Sequence, residues 1–195
     1  MTKTLADDLR IELNKVAKET IAYDLNGENP TDVKTWISTG STLLDYIISN
    51  RRDGGIPVGK LTTIAGESAS GKSLVVTQIL ANCQKMGGVA VYIDTENAAS
   101  PDFMEQLGLD TKNNFMSVQP GTMEEVFETI ERLIGLIREK APDTLVCIVW
   151  DSVAGTPVKD EIEGDYDPNS RNGLTDKAQA TGMRKVTETH RTSPN

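Results

Sequence analysis

Near the start of the chain, Leu5, Leu9, Leu13, Val16 and Ala17 fall at helical intervals with Asp, Glu and Lys between them, which predicts one amphipathic helix within residues 4–22. The turn-rich run Asn26-Gly27-Glu28-Asn29-Pro30 then reads as a linker. Residues 1–30 are therefore taken as a helix with its linker, and residues 31–195 as the main domain. The helix fits two roles equally, packing on its own domain or docking as an arm on a neighbouring subunit.

From Trp36 onward, strand-like and helix-like segments alternate, the pattern of a parallel sheet covered on both faces. Ser41 caps a short helix through Leu43, Leu44, Ile47 and Ile48. Residues 61–65 (LTTIA) form a predicted core strand, and the segment after Ser73 a helix. Strands follow at 89–94 and 115–118. Between them, Ser100-Pro101 opens a helix that Gly108 closes. Thr122 and Glu125 form a capping box ahead of an apolar helix face made by Val126, Phe127, Ile130, Leu133, Ile134 and Ile137. Residues 145–150 (LVCIVW) are continuously apolar, as a strand buried on both faces should be. The fold class is α/β.

Charge and composition narrow the function. The chain has 195 residues, a formal charge of -9, two cysteines and one histidine. Cys83 and Cys147 are far apart with no CxxC partner, so one histidine cannot complete a four-ligand zinc site with them and zinc chemistry is not expected, and His190 alone gives a Ser-His-Asp or Cys-His hydrolase little to work with. The apolar run at 145–150 is far short of the about 20 residues that span a bilayer. Asp7-Asp8 fall where the apolar stretch of a leader would begin, so a cytoplasmic protein with no membrane partner is expected. The acidic balance opposes indiscriminate binding to nucleic acid but leaves room for a local basic site.

The strongest chemical signal is Gly66-Glu67-Ser68-Ala69-Ser70-Gly71-Lys72-Ser73, which has GxxxxGK(S/T) spacing between a predicted strand and a predicted helix. Glycines let backbone N–H groups curl around phosphates, and the helix N-terminus adds its dipole. Lys72 supplies a charge to the outer phosphates, and Ser73 a hydroxyl to Mg²⁺. Asp151, at the end of the 145–150 strand, is the second candidate for the metal side. Glu96, just past the 89–94 strand, is the candidate to orient an attacking water, because neighbouring parallel strands deliver their ends to one ligand.

These residues carry a resemblance. Residues 37–41 (ISTGS), 55–60 (GIPVGK), the phosphate loop, 92–96 (YIDTE), 149–154 (VWDSVA), 161–164 (EIEG) and 182–185 (GMRK) stand in the order and approximate spacing of the RecA recombinase core. The resemblance covers roughly Val33 to Val186. It implies a P-loop NTPase with a RecA-like, mostly parallel sheet, helices on both faces and a preceding N-terminal helix. It also implies an ATPase with Mg²⁺ that polymerises on single-stranded DNA and exchanges strands with a homologous duplex in repair and recombination. Lys72 and Ser73 then take the phosphate and magnesium roles, Asp151 the Walker B role and Glu96 that of the catalytic carboxylate. Phe103 falls where the family has a tyrosine stacked on adenine, and Ser100 where an aspartate often contacts the base.

By this resemblance residues 161–174 would be the first DNA-binding loop, longer and more polar than the family pattern, with Arg171-Asn172 where an apolar wedge is usual. Lys177 and Arg184, seven residues apart on a predicted helix, share a face and with Lys185 could neutralise phosphates. Residues 161–195 hold six acidic and five basic groups, so this segment is nearly neutral on an acidic body. RecA-like cores also place a strand from beyond the Walker B segment beside it, and nothing after Asp151 reads as a buried strand. An incomplete sheet is therefore expected, belonging to a truncated core or to a split protein completed by a second chain. Other readings stay open: a helicase or clock-type ATPase of the same core class, a small-molecule kinase or GTPase (though no NKxD motif occurs), or a nucleotide-binding module that does not hydrolyse.

Overall fold

The computed structural model describes residues 4–18, 20–24, 32–163 and 174–191, of which Leu174 and residues 188–191 are described in backbone only. Contacts divide the chain into two units, Met1–Lys34 and Thr35–Asn195.

In the first unit, helix α1 spans Leu5–Val16. Thr4 and Asp7 close a capping box at its start, with Thr4 N–H donating to Asp7 Oδ2 (2.9 Å) and Asp7 N–H to Thr4 Oγ1 (3.3 Å). The helix stops at Val16 rather than running toward residue 22, because Ala17 is extended and the Asn14 side chain takes over the backbone that follows. The Asn14 amide oxygen accepts from Ile21 and Ala22 N–H, and its nitrogen donates to Ala22 O.

In the second unit, a two-residue antiparallel pair joins β1 (Trp36–Ile37) to β2 (Ile56–Pro57), with α2 (Thr42–Ser49) between them. Ser41 caps α2 and Asn50, in the left-handed region, ends it. The main sheet has three parallel strands in the order β4 (Phe115–Val118), β3 (Val89–Asp94), β5 (Val146–Asp151). Register pairs Ile93 with Trp150 and Asp94 with Asp151, so β3 and β5 end together. Helices cover both faces: α3 (Lys72–Lys85) and α4 (Pro101–Gln106) on one, α5 (Met123–Lys140) on the other. A 3₁₀ turn (Val153–Gly155), α6 (Lys159–Glu163) and α7 (Leu174–Arg191) follow β5.

Two-residue periodicity divides the core. Val91 and Ile93 of β3 pack with Val126, Ile130 and Leu133 of α5, alongside Ile148 and Trp150 of β5. Ala90 and Tyr92 instead meet Leu80, Ala81 and Met104 under α3 and α4, joined by Cys147 and Val149. Asp151, two residues beyond Val149, thus belongs to the face that carries α3. At the far end, Met123, Phe127 and Val158 pack with Ala178, Met183 and Val186 of α7, and the Phe127 and Trp150 rings meet edge to face at 5.3 Å.

The sequence and structure part company at residues 61–65. The strand predicted there has no sheet partner, and Leu61 is 61% exposed. Among the described residues no strand pairs with the outer edge of β5, and β5 is half-buried along its whole length rather than buried on both faces. A strand needs a neighbour to take up its N–H and C=O groups, and the described chain supplies none between β5 and residues 61–65. The parallel α/β architecture stands, with a small sheet. Cap chemistry at α5 also differs slightly: Thr122 Oγ1 accepts from Glu125 N–H, but the Glu125 carboxylate reaches back to Gly121 N–H rather than to Thr122.

Candidate functional site

The loop from Gly66 to Gly71 is exposed and leads into α3 at Lys72. Gly71 caps the helix with φ +89°, and Ala69 is also left-handed at φ 59°. A Cβ on Gly71 would meet nothing within 4 Å, so it is the backbone conformation and not crowding that calls for glycine. Left-handed residues beside a helix N-terminus turn successive N–H groups toward one concavity, which suits an anion. The Lys72 ammonium is folded over the loop, donating to Gly66 O at 3.0 Å and Glu67 O at 2.7 Å.

Ser73, on the first turn of α3, meets the end of β5. Its hydroxyl donates to Asp151 Oδ2 at 2.9 Å. The same carboxylate oxygen receives the Tyr92 hydroxyl at 2.5 Å. Tyr92 is 3% exposed. Burial pushes its phenol far above the ordinary value, helped by the hydrogen bond to Asp151 and the charges of Asp151, Asp94 and Glu96. It therefore remains a protonated donor.

Thr95 extends the contact, its hydroxyl donating to Asp151 O at 3.1 Å. Thr156, buried just past the 3₁₀ turn, lies 2.9 Å from Thr95 Oγ1 and accepts the indole N–H of Trp150 at 3.1 Å. Glu96 is exposed and its carboxylate rests on Gly155, where an added Cβ would come within 2.6 Å of it. Asp94 is buried and accepts from Ala98 and Ala99 N–H, fixing the turn that carries Glu96.

The structure thus brings Ser73 to Asp151 at the end of β5, with Lys72 beside Ser73 on α3 and Glu96 on the turn that follows β3. Ser100 and Phe103 stand at the start of α4, where the Ser100 hydroxyl caps the helix through Phe103 N–H (3.4 Å) and Phe103 is 40% exposed. Arg171 and Asn172 lie outside the described residues. Lys177, Arg184 and Lys185 are exposed on α7, with Arg184 Nε donating to Ala180 O. Tyr92 and Thr95 lie within the 92–96 segment without a role of their own in the sequence, and Thr156 lies outside every motif. Their signal is faint: Tyr92 sits among the apolar residues 89–93 of β3, Thr95 directly follows that strand, and Thr156 comes only after the 3₁₀ turn beyond β5.

A hydroxyl and a carboxylate side by side fit Mg²⁺, which prefers oxygen ligands and is commonly held by one or two protein groups plus phosphates. Among the described residues no three His, Cys, Asp or Glu side chains converge on one point. Nor is any helix of the described residues long and apolar enough to cross a membrane.

Residues 4–194 match the model of the RecA N-terminal domain family. Among curated proteins, the chain is 38% identical over 161 residues to Protein RecA of Wolinella succinogenes, covering 83% of this chain and 43% of that one. It is 37% identical over 161 residues to Protein RecA of Acinetobacter baumannii, with the same coverage. Protein RecA of Symbiobacterium thermophilum is 40% identical over 151 residues, covering 77% of this chain and 40% of the relative. The chain spans about two fifths of the length of these relatives.

Proposed function

Because the chain belongs to the RecA family, we propose that it carries the ATP site of a cytoplasmic DNA recombinase. In this reading it binds and hydrolyses ATP at the Gly66–Ser73 loop, binds single-stranded DNA as a homo-oligomeric filament, and promotes strand exchange with a homologous duplex. The observation that carries the reading is the Ser73–Asp151 hydrogen bond at the mouth of the phosphate loop, which unites two motif residues far apart in sequence.

Each side chain has a task. Lys72 neutralises the outer phosphates, and the backbone N–H groups after Gly71 hold their oxygens. Ser73 and Asp151 hold Mg²⁺, which when bound supplies charge compensation for the transferred phosphoryl group. Glu96 orients the attacking water, its turn held in place by Asp94. Phe103 offers its exposed ring to the adenine and Ser100 flanks it. Lys177, Arg184 and Lys185, with Arg171 and Asn172, are the proposed DNA contacts.

Thermal unfolding with and without Mg-ATP tests the site. At 100 times the dissociation constant the ligand should add about 2.7 kcal/mol, and Lys72→Ala should abolish the gain. An unchanged melting curve for the wild type would remove the nucleotide assignment.

A second reading, nucleotide binding with little turnover, is favoured by one feature. Among the described residues, the lead-in to the loop, residues 61–65, takes no part in the sheet, and Ser73 on α3 supplies the hydrogen bond that ties the loop's end to β5. Mg-ATP stabilisation without DNA-stimulated phosphate release would select it.

A further inference from the structure

Resting on the nucleotide-site reading above, we propose that Tyr92 is a positioning residue for the metal-side carboxylate. Its phenol is a fixed donor that holds Asp151 Oδ2 beside Ser73 and leaves Oδ1 turned to the ligand. The two hydroxyls reach the same oxygen, at 2.5 Å from Tyr92 and 2.9 Å from Ser73. Among the described residues Oδ1 receives no such bond, so one carboxylate oxygen is committed to the protein and one is available.

The arrangement is built into the strand pattern. Ala90 and Tyr92 on β3 share a sheet face with Cys147, Val149 and Asp151 on β5, and that face carries α3. The Tyr92 ring is locked in the core cluster of Leu80, Ala81 and Met104. A ring fixed by packing delivers its hydroxyl to one point, whereas Ser73 sits on an exposed helix start and can turn. Groups that orient a metal ligand from behind tune affinity without touching the metal. A tyrosine serving the core alone would leave the magnesium dependence of binding untouched when its hydroxyl is removed.

Binding of fluorescently labelled ADP to the full chain, in excess Mg²⁺ and in EDTA, separates these roles. The wild type should bind more tightly with Mg²⁺. Tyr92→Phe, which keeps the ring, should retain the EDTA affinity and lose about tenfold of the Mg²⁺-dependent gain. An undiminished gain in Tyr92→Phe overturns the assignment while leaving the nucleotide site standing. No ADP binding by the wild type in either buffer overturns the site and the assignment together. Should Tyr92→Phe fail to fold, Tyr23, Tyr46 and Tyr166 can be changed to Phe and the remaining tyrosine labelled as 3-fluorotyrosine. Its ¹⁹F resonance should move when Mg²⁺ is added to the ADP complex, and a stationary resonance overturns the assignment.

Discussion

The hydroxyl of Ser73 lies 2.9 Å from Asp151 Oδ2, so the first turn of α3 and the last residue of β5 are joined by one hydrogen bond across 78 positions of sequence. The contact exists because Cys147, Val149 and Asp151 alternate onto the face that α3 covers. Asp151 therefore supports the ligand-free fold, quite apart from the metal role proposed for it. Tyr92, 3% exposed, depends on it for its hydroxyl partner.

Asp151→Ala should lower the stability of the ligand-free protein by about 1–3 kcal/mol, because it orphans a buried phenol. In the double variant Tyr92→Phe/Asp151→Ala no polar group is stranded, and part of that loss should return. Urea titrations of the four proteins check this as a double-mutant cycle; strict additivity would contradict it.

Asp45 sets an acid limit. It is buried, and burial alone would raise its carboxyl pKa, yet hydrogen bonds from Ser38 Oγ (2.5 Å), Thr39 Oγ1 (2.6 Å) and Thr39 N–H (2.7 Å) win and lower it. A carboxyl whose folded pKa lies below its unfolded value adds stability above the unfolded pKa, and that contribution is lost as pH falls through the folded one. Stability should therefore drop below about pH 4. Asp45→Asn should be less stable near neutrality, by about 1–3 kcal/mol, and should show a shallower acid decline. Chemical denaturation at stepped pH values would reveal parallel declines if Asp45 were not a contributor.

Gly182 allows α7 to lie against α5. A Cβ there would come within 2.1 Å of the Phe127 ring, which is itself packed edge to face on Trp150. Gly182→Ala should cost about 1–3 kcal/mol, since overpacking outweighs the gain in helix propensity. Pairing it with Phe127→Leu should recover part of the loss. A melting temperature for Gly182→Ala at or above that of the parent would show that the two helices part without penalty.

The two cysteines should be silent in the folded protein. Burial raises both thiols, Cys147 to about 12 with a further contribution from nearby Cys83, and Cys83 despite a compensating hydrogen bond from the Cys147 backbone. Thiolates are the reactive form, and the upward shift of both thiols disfavours it. A disulfide reagent should titrate two thiols per chain in denaturant and none promptly in native buffer. Rapid native labelling of Cys83 would contradict the packing around Gly88, where Cys83 Sγ fills the space a Cβ would need, and rapid labelling of Cys147 would contradict its place beside Leu80 and Tyr92 in the core.

Local signals explain what could be read from sequence. The phosphate loop, β3 and the helices at Ser41, Ser100 and Thr122 each carry their own motif, cap or apolar run, and they fold where the pattern places them. Residues 61–65 have an equally convincing strand composition, but a strand is decided by its neighbour, and pairing is not encoded in the segment itself. The end of α1 was likewise set from elsewhere, by Asn14 binding the backbone at 21–22. For the proposed site, the motif pointed to Lys72 and Ser73 and strand-end logic to Asp151, and the structure places Ser73 and Asp151 in contact. Tyr92 stayed hidden because an apolar strand accounts for a tyrosine without invoking its hydroxyl.

DNA binding should be local and salt-sensitive, and α7 offers the means to measure it. Its cations Lys177, Arg184 and Lys185 are exposed, and they belong to a C-terminal stretch that is nearly neutral within a chain of charge -9. An acidic body repels the strand at long range, so attraction must come from a few phosphate contacts, each releasing counterions. For single-stranded DNA each contact contributes about 0.7 to the slope of log affinity against log salt. Lys177→Ala should lower that slope by about this amount and weaken binding evenly across sequences, because a phosphate contact reads no base. Lys185→Ala should act alike, whereas Lys112→Ala, in the turn between α4 and β4, should leave the slope unchanged. Fluorescence anisotropy of a labelled oligonucleotide at stepped salt concentrations supplies the slopes. If Lys177→Ala and Lys112→Ala give the same slope as the parent, α7 is an ordinary solvated face and the DNA contacts lie elsewhere.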